Sequence, residues 1–142
     1  MPAEAASAPT ALAPLGDADL ARCHALLKAG SKSFHAASFL LPPALRAPVA
    51  SLYAFCRVAD DEVDESPDGP AAGLARLRGR LDRIYAGTPD DDPVDRAFAQ
   101  VVARYRIPRR VPELLFEGFE WDAVGHRYVR VDDTVAYGVR VA

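Results

Sequence analysis

Apolar residues recur every three or four positions through most of this chain, which is the spacing of one face of an α-helix. Leu74, Leu77 and Leu81 form one such stripe. Proline and glycine cluster between the stripes, at 66–73 and 87–93, and mark loops. The pattern therefore predicts an all-α protein, and the abundance of alanine, leucine and arginine, which are good helix formers, supports it.

The chain divides into a short tail and one helical region. Residues 1–16 are rich in alanine and proline, and we predict that they are disordered. Residues 17–142 are long enough to bury one core. Within them we predict five helices, at 17–30, from Pro42–Pro43 to Asp64, at 71–85, at 94–105 and at 114–121, and a sixth that begins after Asp132 or Asp133. We also predict a turn at 31–41 and an extended segment at 127–131.

The last predicted helix has no visible stop signal. It starts near Thr134, and its apolar pattern continues to Ala142 without a proline or a polar tail. Helices commonly end in a C-cap, often a glycine just after the last periodic residue. We therefore expect that the chain is cut short within a longer domain.

Composition and charge exclude several classes of protein. A net charge of −3 and a pI of about 5.6 provide no basic surface, so we expect no nucleic-acid partner. The longest apolar stretch, near Val49–Cys56, is too short to span a bilayer. Cys23 and Cys56 lie far apart, which fits a reducing compartment. We expect a cytoplasmic protein that associates with the inner face of the membrane peripherally at most.

The most informative segment is LYAFCRVADDEVDE, at residues 52–65. On a helix, residues spaced by three and four positions share a face. The polar face that this spacing predicts holds Tyr53, Arg57, Asp60, Asp61 and Asp64, and the opposite apolar face holds Leu52, Phe55, Ala59 and Val63.

This polar face admits two interpretations. Asp60 and Asp64 lie one turn apart and repel each other unless a cation lies between them. Mg²⁺ prefers oxygen ligands and often joins one or two carboxylates to a phosphate, and the guanidinium of Arg57 suits phosphate oxygens. On spacing alone, however, an acidic run is more often a solvated helix end than a diphosphate site.

Two longer strings carry a resemblance to a known family. GSKSFHAASFLLPPALRAPVASLYAFCRVADDEVD resembles the opening signature of squalene/phytoene synthases, with its S-x-S-F, L-L-P, Y-A-F-C-R and D-D-x-x-D. EGFEWDAVGHRYVRVDDTVAYGVRVA resembles the family's next block. The resemblance covers roughly residues 18–142, and the wording is most similar to the bacterial, phytoene-forming members.

The resemblance implies an all-α isoprenoid-synthase fold, of which 17–142 would be the N-terminal part. It implies Mg²⁺-dependent head-to-head condensation of two geranylgeranyl diphosphates to phytoene through prephytoene diphosphate, in carotenoid biosynthesis, with Mn²⁺ as an alternative ion. The family's second aspartate-rich motif is absent here, so we expect this piece to be inactive alone. Two alternatives stay open: a farnesyl-diphosphate-using squalene, hydroxysqualene or dehydrosqualene synthase, and a non-catalytic relative acting as an assembly protein. The oligomeric state is not implied.

The resemblance also assigns roles by position. Asp60 and Asp64 match metal-binding aspartates, and Asp61 supports them. The prenyl diphosphate substrates are the expected partners. The diphosphate-binding residues that the resemblance implies are Ser31, Ser33, Arg57 and Tyr137, and the catalytic residues are Asp60, Asp64, Arg57 and Tyr53.

Overall fold

The computed structural model describes residues 16–123 and 138–141. Every regular element in that part of the chain is helical, as predicted, and none of its helices is both long and apolar enough to cross a membrane. The predictions for residues 1–15, for the extended segment 127–131 and for the start of the last helix lie outside the described residues. The helices are α1 (Asp17–Gly30), α2 (Lys32–Ser38), α3 (Pro43–Asp64), α4 (Pro70–Tyr85), α5 (Pro93–Tyr105) and α6 (Arg110–Ala123), followed by a helical stretch at 138–141.

Local sequence explains where the helices begin. Prolines occupy the first turn of α3, α4 and α5, where a missing N–H costs nothing. The side chain of Asp92 caps α5 by accepting hydrogen bonds from the backbone N–H groups of Val94, at 2.9 Å, and Asp95, at 3.2 Å. The hydroxyl of Ser31 caps α2 by accepting from the N–H of Phe34 at 3.2 Å.

Two helix predictions need correction. The segment predicted as a turn contains helix α2, because the Ser31 cap satisfies a free N–H group in its first turn. Helix α6 begins at Arg110, earlier than predicted, since Pro112 falls in the first turn and interrupts no hydrogen bond there. Helix α3 begins at Pro43, as predicted, and Pro48 lies inside it.

Helix α3 lies at the centre of the core and packs against α1, α4 and α5. Phe55 stacks on Phe98 of α5 with ring centroids 4.0 Å apart, and its centroid lies 6.5 Å from that of Phe116 on α6. Aromatic pairs of this kind add stability beyond the area that they bury. This cluster fixes the rotation of α3 about its axis.

The buried face of α3 omits one predicted residue and includes three that were not predicted. Phe55, Ala59 and Val63 are buried as predicted, but Leu52 is 38% exposed and Ser51 is fully buried. The small side chains of α3 on that side allow α1 to pack closely, so the buried arc extends towards α1 rather than towards Leu52.

A buried ion pair joins α4 to α5. The Arg80 guanidinium donates to both carboxylate oxygens of Asp95, with Nε to Oδ2 at 2.9 Å and Nη2 to Oδ1 at 2.5 Å. The Asp95 side chain is fully buried, and that of Arg80 is 15% exposed. The hydrogen bonds from this pair raise the pKa of Arg80 above its ordinary value.

Candidate functional site

The second half of α3 places the predicted acidic residues at the protein surface. The core packing of Phe55 turns the opposite face of the helix outward. Asp60 and Asp61 are half-buried on that face, and Asp64, the last residue of α3, is exposed. The structure therefore confirms that one helix face carries these carboxylates.

Three of the predicted residues line one cavity of about 300 Å³. Tyr53, Arg57 and Asp60 form its α3 side. Helix α6 and the stretch at 138–141 form the rest, so the cavity has a charged wall and a largely apolar one. The residues contributed from outside the predicted set are Cys56, Leu115, Phe119, Asp122 and Val141.

Charge repulsion concentrates at Asp60. Burial raises the pKa of its carboxyl above the ordinary value, and the negative charge of Asp64 raises it further, with smaller contributions from Asp61 and Asp122. The positive charge of Arg57 acts in the opposite direction. Within the described part of the chain, neither Asp60 nor Asp64 forms an ion pair or a side-chain hydrogen bond. Neither carboxylate is therefore in direct contact with a cation of the described residues.

Arg57 is held at the rim of the cavity by Asp61. Its Nε lies 3.5 Å from Oδ1 of Asp61, one helical turn further on. Both side chains are more than 40% exposed, so this pair adds little stability. Among the residues that the structure describes, the terminal nitrogens of Arg57 have no partner, which leaves that end of the fork available to an anion.

Tyr53 connects the cavity to the two predicted serines. Its ring stacks on that of Phe34, with centroids 5.5 Å apart and an angle of 24° between the planes. A Cβ atom at Gly30 would clash with the Tyr53 hydroxyl, so glycine at the end of α1 permits this close approach. The hydroxyl oxygens of Ser31 and Ser33 lie 3.5 Å apart beside Phe34. Neither serine lines the cavity itself.

Two residues separate the predicted site from the observed one, Tyr137 and Asp122. Tyr137 lies outside the described residues, so its role stays a prediction. Asp122 lines the cavity opposite α3 but was not predicted as a site residue. Its spacing of seven and three residues from Leu115 and Phe119 puts it on the same face of α6, and this was the available signal.

The donor set fits Mg²⁺ bound together with a phosphate. No group of three acidic, histidine or cysteine side chains in 16–123 and 138–141 is arranged to hold a metal ion by itself. Asp60 and Asp64 instead offer hard oxygen donors one turn apart, and the negative charge of Asp64 raises the pKa of Asp60. Mg²⁺ commonly uses one or two protein carboxylates and takes its other ligands from phosphate and water. The two carboxylates match that requirement.

Comparisons with known proteins identify the family to which the chain belongs. The family model for squalene/phytoene synthase matches residues 27–142. Phytoene synthase of Rhodobacter capsulatus is 52% identical over 130 residues, which cover 90% of this chain and 38% of that protein. Phytoene synthase of Cereibacter sphaeroides is 48% identical over 137 residues, covering 90% and 39%. The chain thus spans about two fifths of the length of these curated relatives.

Two solved structures share the arrangement of helices. Squalene synthase HpnC from Alicyclobacillus acidocaldarius superposes with a TM-score of 0.80 at 30% identity, over 88% of this chain and 47% of that one. A dehydrosqualene synthase in complex with ligand gives 0.78 at 33% identity, over 88% and 44%. These similarities confirm the predicted isoprenoid-synthase fold.

Proposed function

The chain belongs to the squalene/phytoene synthase family, and from that membership we propose that it supplies the first diphosphate-binding wall of a prenyltransferase that condenses two geranylgeranyl diphosphates into phytoene. The observation that carries the proposal is the placement of Arg57, Asp60 and Asp64 on one face of α3, beside a cavity with an apolar wall. The names of the relatives at 52% and 48% identity, both phytoene synthases, support the choice of product.

Neutralising the diphosphate is the first task of such a site. The diphosphate leaves an allylic carbon readily only when the negative charge that develops on it is stabilised. Asp60 and Asp64 would hold Mg²⁺, which when bound supplies most of that charge neutralisation. The free terminal nitrogens of Arg57 add a fork that grips phosphate oxygens, while Asp61 keeps the side chain oriented through Nε.

The serines at the start of α2 can bind a second group of oxygens. The Ser31 hydroxyl oxygen is used as a helix cap, but its proton stays available for donation. The exposed Ser33 hydroxyl lies beside it. Phe34 stacks on Tyr53, and the glycine at position 30 allows Tyr53 to lie close to this turn. Because Tyr53 also lines the cavity, a substrate that the serines bind extends into it.

The rest of the cavity suits a carbocation. Leu115, Phe119 and Val141 provide apolar surface that keeps water from quenching it. The ring of Tyr53 lines the same cavity, and an aromatic face stabilises a nearby positive charge. Replacing Tyr53 by leucine would remove the aromatic stabilisation of the carbocation and keep an apolar side chain at this position.

Product analysis tests the proposal in a protein of full family length. We define the chimera as the phytoene synthase of Rhodobacter capsulatus in which this chain replaces the matching segment. We expect phytoene from geranylgeranyl diphosphate and Mg²⁺, and none without Mg²⁺. Squalene or dehydrosqualene from farnesyl diphosphate, with no phytoene, would support the alternative that the names of the two solved relatives suggest.

The assembly-protein alternative makes a different prediction. A relative that only assembles other proteins has no need for a carboxylate pair that destabilises its own helix end. The retention of Asp60, Asp64 and Arg57 argues against it. A chimera that folds but makes no product from either diphosphate would favour it.

A further inference from the structure

A second cavity, of about 740 Å³, opens where α4 and α5 end, and it shares no lining residue with the cavity beside α3. Its volume falls within the range of small-molecule sites, ~300–1,000 Å³. Tyr85 closes one side, with its hydroxyl donating to the carbonyl of Ile107 at 3.1 Å. The aliphatic residues of the wall are Ile84, Ala99, Val102, Ala103 and Ile107.

Three arginines line this cavity, and they differ in their partners. Arg96 donates to both carboxylate oxygens of Asp19, at 3.0 and 2.8 Å. Arg109 pairs with Asp82 and is thereby neutralised. Arg106 forms no ion pair or side-chain hydrogen bond with any described residue. The cavity therefore carries one positive charge that the described protein does not compensate.

The backbone of Arg106 adds a second observation. Its φ of 52° lies in the left-handed region, where it caps α5 through an N–H bond to the carbonyl of Val102. Glycine is the usual residue at such a position, because a side chain there is strained. No contact of the Arg106 side chain with a described residue offsets the energy of that strain. A ligand that binds the guanidinium in the cavity would offset it.

Gln100 provides a third observation in the same cavity. Its Oε1 atom is buried and has no hydrogen-bond partner among the described residues. A buried acceptor without a donor is costly and uncommon in native proteins. A cavity with an aliphatic wall, in which a guanidinium and an acceptor lack partners in the described part of the chain, calls for a ligand with an anionic group, a hydrogen-bond donor and an aliphatic body.

We propose that this cavity binds an amphiphile with a phosphate head group and an aliphatic chain. The monoanion of a phosphate monoester carries both the charge that Arg106 requires and the hydroxyl donor that Gln100 requires. The aliphatic chain lies against the small side chains of α5. Such a ligand comes either from phosphatidic acid, a phosphate monoester lipid of a bilayer, or from a soluble phosphorylated chain, and the binding chemistry is the same.

The first experiment titrates dodecyl phosphate, below its micelle concentration, into this chain by calorimetry. We expect saturable binding. Dodecyl maltoside has the same chain without the charge, and it should bind about tenfold more weakly, as expected for the loss of a charge-assisted hydrogen bond. Equal affinity for the two detergents would overturn the proposal.

Two substitutions sharpen the test. Arg106→Gly removes the guanidinium and also relieves the backbone strain, so the variant should melt at the same or a higher temperature while its affinity for dodecyl phosphate falls about tenfold. Ala103→Trp should block the chain by filling the exposed wall. Lys28→Ala, which removes an exposed cation of α1 outside this cavity, is the control and should bind as the parent does. Unchanged binding by Arg106→Gly would show that the proposal is wrong.

A competition and a vesicle assay separate the remaining explanations. Inorganic pyrophosphate with Mg²⁺ should leave dodecyl phosphate bound, and displacement would assign the ligand to the α3 site and overturn the proposal. Sedimentation with phosphatidic acid vesicles, but not with phosphatidylcholine vesicles, would identify a bilayer lipid as the source, provided that Arg106→Gly reduces this binding. Vesicle binding that is equally strong in the parent and in Arg106→Gly would contradict the proposal.

Discussion

Asp60 shows how burial and neighbouring charge act on one carboxyl group. Both raise its pKa, so the folded protein binds this proton more tightly than the unfolded chain does. Stability therefore falls as the pH rises from the ordinary pKa of an aspartate, 3.8, through the raised value. At neutral pH the ionised Asp60 is a cost to the free protein, and a bound cation would remove that cost.

Cys56 offers a direct test of how dry the cavity is. Burial raises the pKa of its thiol from 9.0 to about 11, which lowers the thiolate fraction at pH 8 by about a hundredfold. We predict that iodoacetamide alkylates Cys56 about a hundredfold more slowly in the folded chain than in urea, as followed by mass spectrometry. Similar rates in the two states would show that water reaches the thiol freely.

At the scale of the helix, the buried ion pair between α4 and α5 carries the largest expected effect of a single substitution. Asp95→Ala removes the hydrogen-bonded partner of the buried Arg80 guanidinium and leaves it only the more distant carboxylates of Asp92, at 3.9 Å, and Glu62, at 4.0 Å. We predict a loss of about 3–5 kcal/mol in the free energy of unfolding, measured with urea. Asp90→Ala breaks the exposed Arg83 pair instead and is the control, with little expected change. Equal effects of the two substitutions would contradict the account of this contact.

The pair between α1 and α5 predicts a pH dependence. Hydrogen bonds from Arg96 lower the pKa of Asp19 below its ordinary value of 3.8. The pair therefore stabilises the fold above that value, and the contribution is lost as the pH falls through the lowered pKa of the folded state. We predict that Asp19→Asn melts at a lower temperature than the parent near pH 7 and that the two curves converge in acid.

A neighbouring carboxylate provides the control for this prediction. Asp17→Asn removes an exposed carboxylate from the same turn of α1, and Asp17 forms no ion pair with any described residue. Its melting curve should run parallel to that of the parent between acid and neutral pH. If both variants behave alike, the Asp19–Arg96 contact does not link α1 to α5 energetically.

At the scale of the whole molecule, the sequence predicted long amphipathic elements well and short or packed features less well. The stripes of α3, α4 and α5 follow from periodicity alone. Helix α2 has only seven residues, too few for a period to show, and it depends on the Ser31 cap. Ser51 rather than Leu52 is buried because of where α1 packs. The spacing of residues along one helix carries no information about the position of its neighbours.

The same distinction holds for the site. Arg57, Asp60 and Asp64 share a face because of helical spacing, so the sequence was sufficient to group them. Asp122 and Val141 reach the cavity only through the packing of α6 and of 138–141 against α3, which no local pattern predicts. The cavity is therefore a property of the assembled helices.

The affinity of the chimera for inorganic pyrophosphate, with and without Mg²⁺, tests the central claim most directly. We predict Mg²⁺-dependent binding that weakens by at least about tenfold in Asp60→Asn and in Asp64→Asn, since each loses a charged ligand. Neither variant should melt below the parent, and Asp60→Asn should melt at the same or a higher temperature because it removes a destabilising charge. Asp68→Asn, in the exposed loop that follows, should bind as the parent does. Binding that is independent of Mg²⁺, or unchanged by both substitutions, would show that α3 does not hold the metal and its diphosphate.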